Sequence, residues 1–355
     1  MKGWKLICSN SSTPPALEKL AVAAITAGDT DGRLNMLPLL ALIMASFLMV
    51  PVLALAQSRV GILVQEMGRS QTQALKGLSE ELKRLGYQER KNLFLETRNV
   101  KGNRAALQPS AGELLTQRVN LIFTTGTSAT RAAIAATKDV PIVFVHPSDP
   151  IASGLIKGAG EPTKNLTGVA AYAAQTTEKR LVLFKEIVPS VRKILIFYDA
   201  NNSFSRENLK LAEGAAKTLG LQVSSYGIKS TDELRTTLAS LRRENGAAIF
   251  QIADDLFESE AEFLFETARE KKLPTMFNEE AWAINGALAA YGPSYLEMGR
   301  QAARLIDRIM KGQKPESLPI ERASKFDLTL NYRTATVIGL RFPEEILKKA
   351  EKVIR

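Results

Sequence analysis

The stretch Asn120 to Arg131 (NLIFTTGTSATR) has the residue types and spacing of a site for a charged group. Leu121 to Phe123 is an apolar run of the length a buried strand needs. The run breaks at Gly126, and an alanine-rich helix is expected from about Ser128. Thr127 and Ser128 stand where a helix N-cap would stand, so their hydroxyls can accept from the first free backbone N–H groups. Those N–H groups and the positive end of the helix dipole favour an anion, here a carboxylate. An ordinary capped helix start has the same sequence, so both readings stay open at this point.

Further candidates follow other apolar runs. Arg69, in the loop Glu66 to Ser70, offers a bidentate fork to a carboxylate. In the loop His146 to Pro150, Ser148 and Asp149 are polar, and Asp149 can accept from a ligand amino group or cap the next turn. His146 could contact the ligand and titrate against Asp149 as a switch, since imidazole titrates near neutrality, or be an ordinary polar loop residue. Asn201 offers amide donors and acceptors, and Asn278 closes a later apolar run. Asp254 and Asp255 are adjacent on a loop and point apart, so one, Asp254, is expected at a ligand amine and the other at a helix cap. Tyr172 and Tyr291 fall where the chain is expected to pass between two halves, and a ligand role is expected for one of them.

Composition narrows the chemistry. The chain has 355 residues, enough for two domains, with 45% hydrophobic and 24% charged residues. Its net charge of +10 is spread over helical segments without a run of five, which reads as solvated faces and not as a nucleic-acid surface. The single cysteine, Cys8, allows no internal disulfide and no thiolate zinc cluster, and the single histidine leaves little room for a metal or triad. A nucleophile elbow, a phosphate-binding P-loop and a dinucleotide glycine fingerprint after the first strand are all missing. The expectation is a protein without catalysis and without a cofactor.

The elements that must position these residues alternate. Strands are expected at 60–64, 93–97, 121–123, 141–145 and 166–169, with helices at 72–85 and 105–118. A second set follows, with strands at 193–198, 222–226, 247–252, 275–277 and 287–291. Its helices are expected at 176–187, 205–219, 231–244, 258–271 and 295–310. The tail holds a strand at 326–330, a short helix from Tyr332 and a last helix from Pro343 on. Regular alternation of this kind gives mostly parallel sheets covered by helices on both faces. The fold class is α/β, with two Rossmann-like lobes and a ligand cleft between them. Residues 57–171 form the first lobe and 172–290 the second, the chain crossing near 170–174 and again near 285–293. Residues 291–355 return to the first lobe and are shared between the two.

Ahead of this lies Leu34 to Ala56, an uncharged apolar run that ends in Ala54-Leu55-Ala56 and is preceded by Arg33. It reads as a signal peptide cleaved between Ala56 and Gln57, with a periplasmic product. The run is also long enough for an uncleaved anchor, but Pro38, Pro51 and the small-x-small end favour cleavage. Residues 1–33 read as a disordered extension, or as sequence ahead of a true start at Met36.

Several motifs now form a pattern by their order and spacing. They are the Thr-Gly-Thr-Ser turn, Pro141 to Val145 with Ser148 to Pro150 and Ser153 to Leu155, and Asn165 to Gly168. The C-terminal block adds Tyr291 to Ser294 (YGPS), Gly299 to Ala303 (GRQAA), Ile309 to Gly312 (IMKG) and Lys325 to Asn331 (KFDLTLN). From Arg59 to its end the chain resembles the ABC-transporter substrate-binding proteins of the type 1 periplasmic-binding fold. Within them it resembles the group related to tryptophan and tyrosine uptake binding proteins. The resemblance implies a monomer that captures a small solute, first an amino acid or another small carboxylate, and delivers it to a membrane permease. A periplasmic ligand-sensing domain that signals to a membrane partner is the alternative. A transcription regulator of the same fold would need DNA-binding helices ahead of Arg59, where the apolar run stands. The charged loop Glu66 to Ser70 and His146-Pro147 depart from the group's small residues, so its ligand is not transferred with the fold. N-terminal sequencing of the exported protein is expected to start at Gln57, and a mature chain that keeps 34–56 would refute the cleavage.

Overall fold

The computed structural model describes residues 58–146, 149–151, 153–156, 164–172, 176–252 and 260–355. The first sheet contains β1 (Ser58–Val64), β2 (Leu93–Asn99), β3 (Leu121–Thr125), β4 (Ile142–His146) and β5 (Leu166–Ala170). The second contains β6 (Lys193–Asp199), β7 (Gln222–Ile228), β8 (Ala247–Phe250), β9 (Thr275–Phe277) and β10 (Ala289–Pro293). The tail gives β11 (Glu321–Arg322) to the first sheet, and β12 (Phe326–Asn331) and β13 (Lys352–Ile354) to the second. The strand orders are β11-β5-β4-β3-β1-β2 and β13-β12-β10-β9-β8-β6-β7. Every pairing is parallel except β10 with β12.

The helices are α1 (Arg69–Arg84), α2 (Leu107–Thr116), α3 (Thr127–Ala136), α4 (Thr177–Ile187), α5 (Ser203–Thr218) and α6 (Thr231–Ser240). They continue with α7 (Ala261–Glu270), α8 (Glu280–Asn285), α9 (Tyr295–Met310), α10 (Tyr332–Ile338) and α11 (Glu344–Lys349). The central strands of both sheets are covered on both faces, which is why β1, β3, β4, β6 and β8 are mostly apolar. Phe123 and Val143 point into one core of the first sheet, Ile122 and Phe144 into the other. Ile194 and Ile196, against Leu195 and Phe197, divide the second sheet in the same way.

Three crossings join the lobes, and all run between the carboxyl edges of the two sheets. The first leaves β5 at Ala170 and enters α4, which then leads to the start of β6. The second leaves β10 at Pro293 and enters α9, so β10 as a whole belongs to the second sheet instead of lying at the crossing. The third runs from Arg322 to Phe326, where antiparallel β12 begins opposite Pro293. The crossings are also bonded to each other. Ala323 N donates to Ala170 O at 2.8 Å and Ser294 N to Lys325 O at 3.0 Å. The buried Gln301 of α9 accepts from Ser324 N at 2.9 Å and donates to Arg322 O at 3.0 Å.

The tail differs from expectation in one respect. The chain does not stay helical from Pro343: α11 ends at Lys349 and Lys352–Ile354 is a strand beside β12. The β-branched Val353 and Ile354 favour the strand conformation, and the edge of β12 accepts it. The short helix α8 and the two-residue β11 carry too little periodicity to be read from sequence.

Helix α9 returns to the first lobe and lies beside α1, running in the same direction. The two backbones meet at reciprocal glycines. A β-carbon on Gly77 would collide with the Leu296 carbonyl, and one on Gly299 with the Ala74 carbonyl. Charges then close the flank: Arg300 binds Glu80 at 2.8 Å, and Arg304 and Arg84 hold Glu81 at 3.3 and 2.7 Å. The Arg84 hydrogen bond, with help from Arg304, lowers the Glu81 carboxyl to about 2 despite its burial. Further along, Tyr87 Oη donates to Asp307 at 3.0 Å. Gly77→Ala or Gly299→Ala is expected to cost about 1–3 kcal/mol by overpacking. Gly214→Ala, on exposed α5 with open space around it, should gain about 0.5–1 kcal/mol from helix propensity. Denaturant midpoints of the three variants check this.

Candidate functional site

In parallel sheets ligands bind beyond the carboxyl ends of the strands. Register places Val64, Thr125 and Val145 abreast, with His146 beside Ala170, so the loops after β1, β3, β4 and β5 share one edge. At its centre Gly126 has φ 81° and ψ 166°, a conformation essentially reserved for glycine. Its N–H donates to Val145 O at 3.0 Å, and its carbonyl accepts from Thr130 Oγ1 at 2.7 Å. Thr130 in turn lies 2.9 Å from Thr124 Oγ1, so the turn is pinned from below.

The cap differs from the sequence reading. Gly126 is the N-cap, no side chain caps the helix, and α3 begins at Thr127. Thr127 and Ser128 therefore lie half-buried on the first turn itself. The first helix-type bond runs from Thr130 N to Gly126 O, so the N–H groups of residues 127–129 have no partner within the helix.

Beside this turn, Asp149 Oδ1 accepts from Ile151 N at 2.8 Å and its carbonyl from Ser153 N at 2.9 Å, so it organises the turn that follows β4. The backbone of His146 ends β4. Tyr172 begins the first crossing with φ 51°, rare for an aromatic residue, and its ring lies 4.9 Å from the Arg322 guanidinium. Burial and the nearby Asp149 charge raise its hydroxyl pKa, against the opposing effect of Arg322.

On the second lobe the corresponding edge carries Asn201 after β6 and Asn278 after β9. Asn201 is exposed and its N–H donates to Asp199 Oδ1 at 2.7 Å. Asn278 is buried, and its Oδ1 has no hydrogen-bond partner. Tyr291 lies within β10 and stacks on Phe326 at 5.9 Å. Burial, then the Asp327 charge, raises its hydroxyl. Ser148, Asp254, Ala56 and Gln57 lie outside the described residues.

The lobes also touch away from the crossings. Ser70 Oγ, on the first turn of α1, donates to Glu279 Oε2 at 3.1 Å, and Tyr295 at the start of α9 bonds the same carboxylate. Burial raises the Glu279 carboxyl above its ordinary value, and these two bonds oppose the rise. Next to this contact a cavity of about 110 Å³ is lined by Arg69, Gln73, Glu280, Ser294 and Asp327. Arg69 thus sits at a lobe junction and the Gly126 turn on the open edge.

Sequence reasoning missed the Ser70–Glu279–Tyr295 contact, whose members are far apart in the chain. It also missed Arg180. The apolar stripe of α4 (Thr177, Arg180, Leu181, Phe184, Ile187) contains one charged residue, and that was the available signal. A larger cavity of about 440 Å³ lies at the opposite edge of the second sheet, next to Val191, Gly246 and Pro274, where β6, β8 and β9 begin. Ligands of parallel sheets do not bind at that edge. Among the described residues no group of three or more His, Cys, Asp or Glu side chains is placed to hold a metal.

A family model described as ABC transporter substrate binding protein matches residues 59–354. The chain belongs to this family. Like the rest of it, this substrate-binding protein has no catalytic role. It binds a small molecule outside the cytoplasm for delivery to an ABC-transporter permease. It is 26% identical over 285 residues to a tyrosine-binding protein of Clostridioides difficile (strain R20291), a match covering 80% of this chain and 82% of that one. Its fold is similar to that of an ABC domain from Streptococcus pneumonia solved in complex with L-Trp. That match has a TM-score of 0.70 and 25% identity, over 84% of this chain and all of the other. A conserved domain protein from Vibrio cholerae matches with a TM-score of 0.71 at 25% identity, over 84% and 99% of the two chains. Two α/β lobes with parallel sheets are thus the shared architecture.

The raised Glu279 carboxyl makes folding pH-dependent. The folded protein holds this proton more tightly than the unfolded chain, whose value is near 4.5. The contribution to stability is therefore full below 4.5 and is lost as pH rises through the folded value. Glu279→Gln should gain in melting temperature relative to the wild type as pH is raised from about 4.5 to neutrality. A constant difference across that range would show that the carboxyl is not shifted.

Proposed function

We propose that the protein captures an amino acid, or another small carboxylate, between its lobes in the periplasm and releases it to its permease. The Gly126 turn supports this reading: a strand end and a glycine-only conformation open a helix at the carboxyl edge, where the first-turn N–H groups of Ser128 and Ala129 are not used within the helix and favour an anion. The first lobe holds the ligand carboxylate through these N–H groups with Thr127 and Ser128. The second lobe then closes with Asn201, Asp254 and Asn278, and rotation about the three bonded crossings supplies the hinge. The names of two relatives, one tyrosine-binding and one solved with L-Trp, support an aromatic amino acid as the first ligand to test. The apolar run before Gln57 supports a periplasmic site of action.

The test is a thermal-shift screen of refolded protein against amino acids, small carboxylates, purines and sugars. The ligand is expected to raise the melting temperature by about 5 °C or more at a hundredfold excess over its Kd. Thr127→Ala combined with Ser128→Ala should then weaken binding by about 1–3 kcal/mol in calorimetry. Unchanged affinity would remove both hydroxyls from the site, and a screen in which only sugars or purines respond would refute the carboxylate reading.

A further inference from the structure

Arg180 is a charged side chain with almost no solvent contact, at 1% exposure. Its guanidinium lies 4.6 Å from the Phe250 ring, and Nη1 donates to Gln251 O at 2.8 Å. Nε has no acceptor, and no described carboxylate pairs with Arg180. Burial alone lowers its pKa to about 9, which still leaves it charged at neutral pH. Other polar atoms of this lobe are also unsatisfied: Gln251 Oε1 and both amide atoms of the buried Asn208. Gln251 is the first residue beyond β8, so the guanidinium sits at the carboxyl edge of the second sheet.

A buried, uncompensated charge opposes folding. An apolar side chain of similar volume is commonly as stable or more so. One carbonyl bond and one ring contact are a small structural return for that cost. Among the described residues no negative charge answers the guanidinium, and a ligand anion between the lobes would supply one. On the reading above, the ligand carboxylate arrives at the Gly126 turn of the first lobe, and closure brings it towards the second.

We propose that Arg180 is a specificity-determining residue that favours lobe closure over an anionic ligand through its field, without touching the ligand. The inference rests on the carboxylate-binding reading. With an empty cleft, closure brings the positive end of α3 towards a second positive charge. With a carboxylate between them, both attractions favour the closed state. A neutral analogue of the same shape gains neither.

The test compares L-tryptophan and L-tyrosine with their uncharged-carboxyl analogues L-tryptophanamide and L-tyrosinamide, by calorimetry on the purified wild type, Arg180→Met and Arg180→Lys. Arg180→Met should keep or raise the melting temperature yet bind the amino acids about tenfold more weakly, with little change for the amides. Arg180→Lys should keep most of the preference, and it carries the test if the Met variant does not fold. Equal loss for acids and amides, or no loss, would overturn the inference while leaving the amino-acid reading intact. Non-additive melting temperatures between Arg180→Met and Asp254→Asn with Asp255→Asn would reveal an internal ion pair and overturn it too. If the wild type binds neither amino acid, the ligand reading fails first and this inference falls with it.

Discussion

The close approach of α1 and α9 is the constraint on which the two-lobe arrangement depends. Helix α9 leaves the second lobe yet must pack on the first, and only glycines at 77 and 299 let the backbones meet. Their parallel alignment puts both N-termini at the carboxyl edge of the first sheet. Ser70 and Tyr295 therefore stand side by side and reach one carboxylate, Glu279, from the other lobe. The same alignment brings Gln301 under the third crossing. Packing inside one lobe thus sets where the chain may bend between the two.

The crossings show how rigidity and motion share a small region. Each is short, and bonds such as Ser294 to Lys325 and Ala323 to Ala170 link one crossing to the next. In the proposed hinge motion the crossings would move as a unit, because a twist in one would break bonds to its neighbour. Tyr172, in a left-handed backbone conformation beneath Arg322, is the locally strained member.

The sheets and their order of elements were legible in the sequence, because strands buried on both faces appear as short apolar runs and helices as amphipathic stripes. The bounds read for Tyr295–Met310 match the helix to the residue. The helix cap at Gly126 was not, because Thr127 and Ser128 have the composition of caps while the glycine's dihedrals decide the start. The last strand, Lys352–Ile354, was also hidden. Its β-branched Val353 and Ile354 suit a strand, but three residues straight after a helical stretch are too few to show a period, and the edge of β12 recruits them. Candidate site residues could be named from the sequence as positions after strands, since the carboxyl-edge rule needs only the strand ends. Their partners could not, because Ser70 and Glu279 are brought together by tertiary packing alone.

On the proposed reading the two lobes would use charge differently, which would suit a protein that must also let go. The first lobe offers N–H groups that bond only at contact distance and stay with the ligand as long as it stays in place. A buried cation in the second lobe acts over a longer range, in a medium that screens it little. As the lobes separate, water enters and that attraction falls steeply, while the contacts to the first lobe remain. A permease that pulls the lobes apart would then weaken binding without breaking a direct bond between the ligand and the second lobe. Direct arginine contact would instead have to be broken at its strongest point. Under that proposal, burying the charge beneath the edge would give selectivity in the closed state and a low barrier to release from the open one.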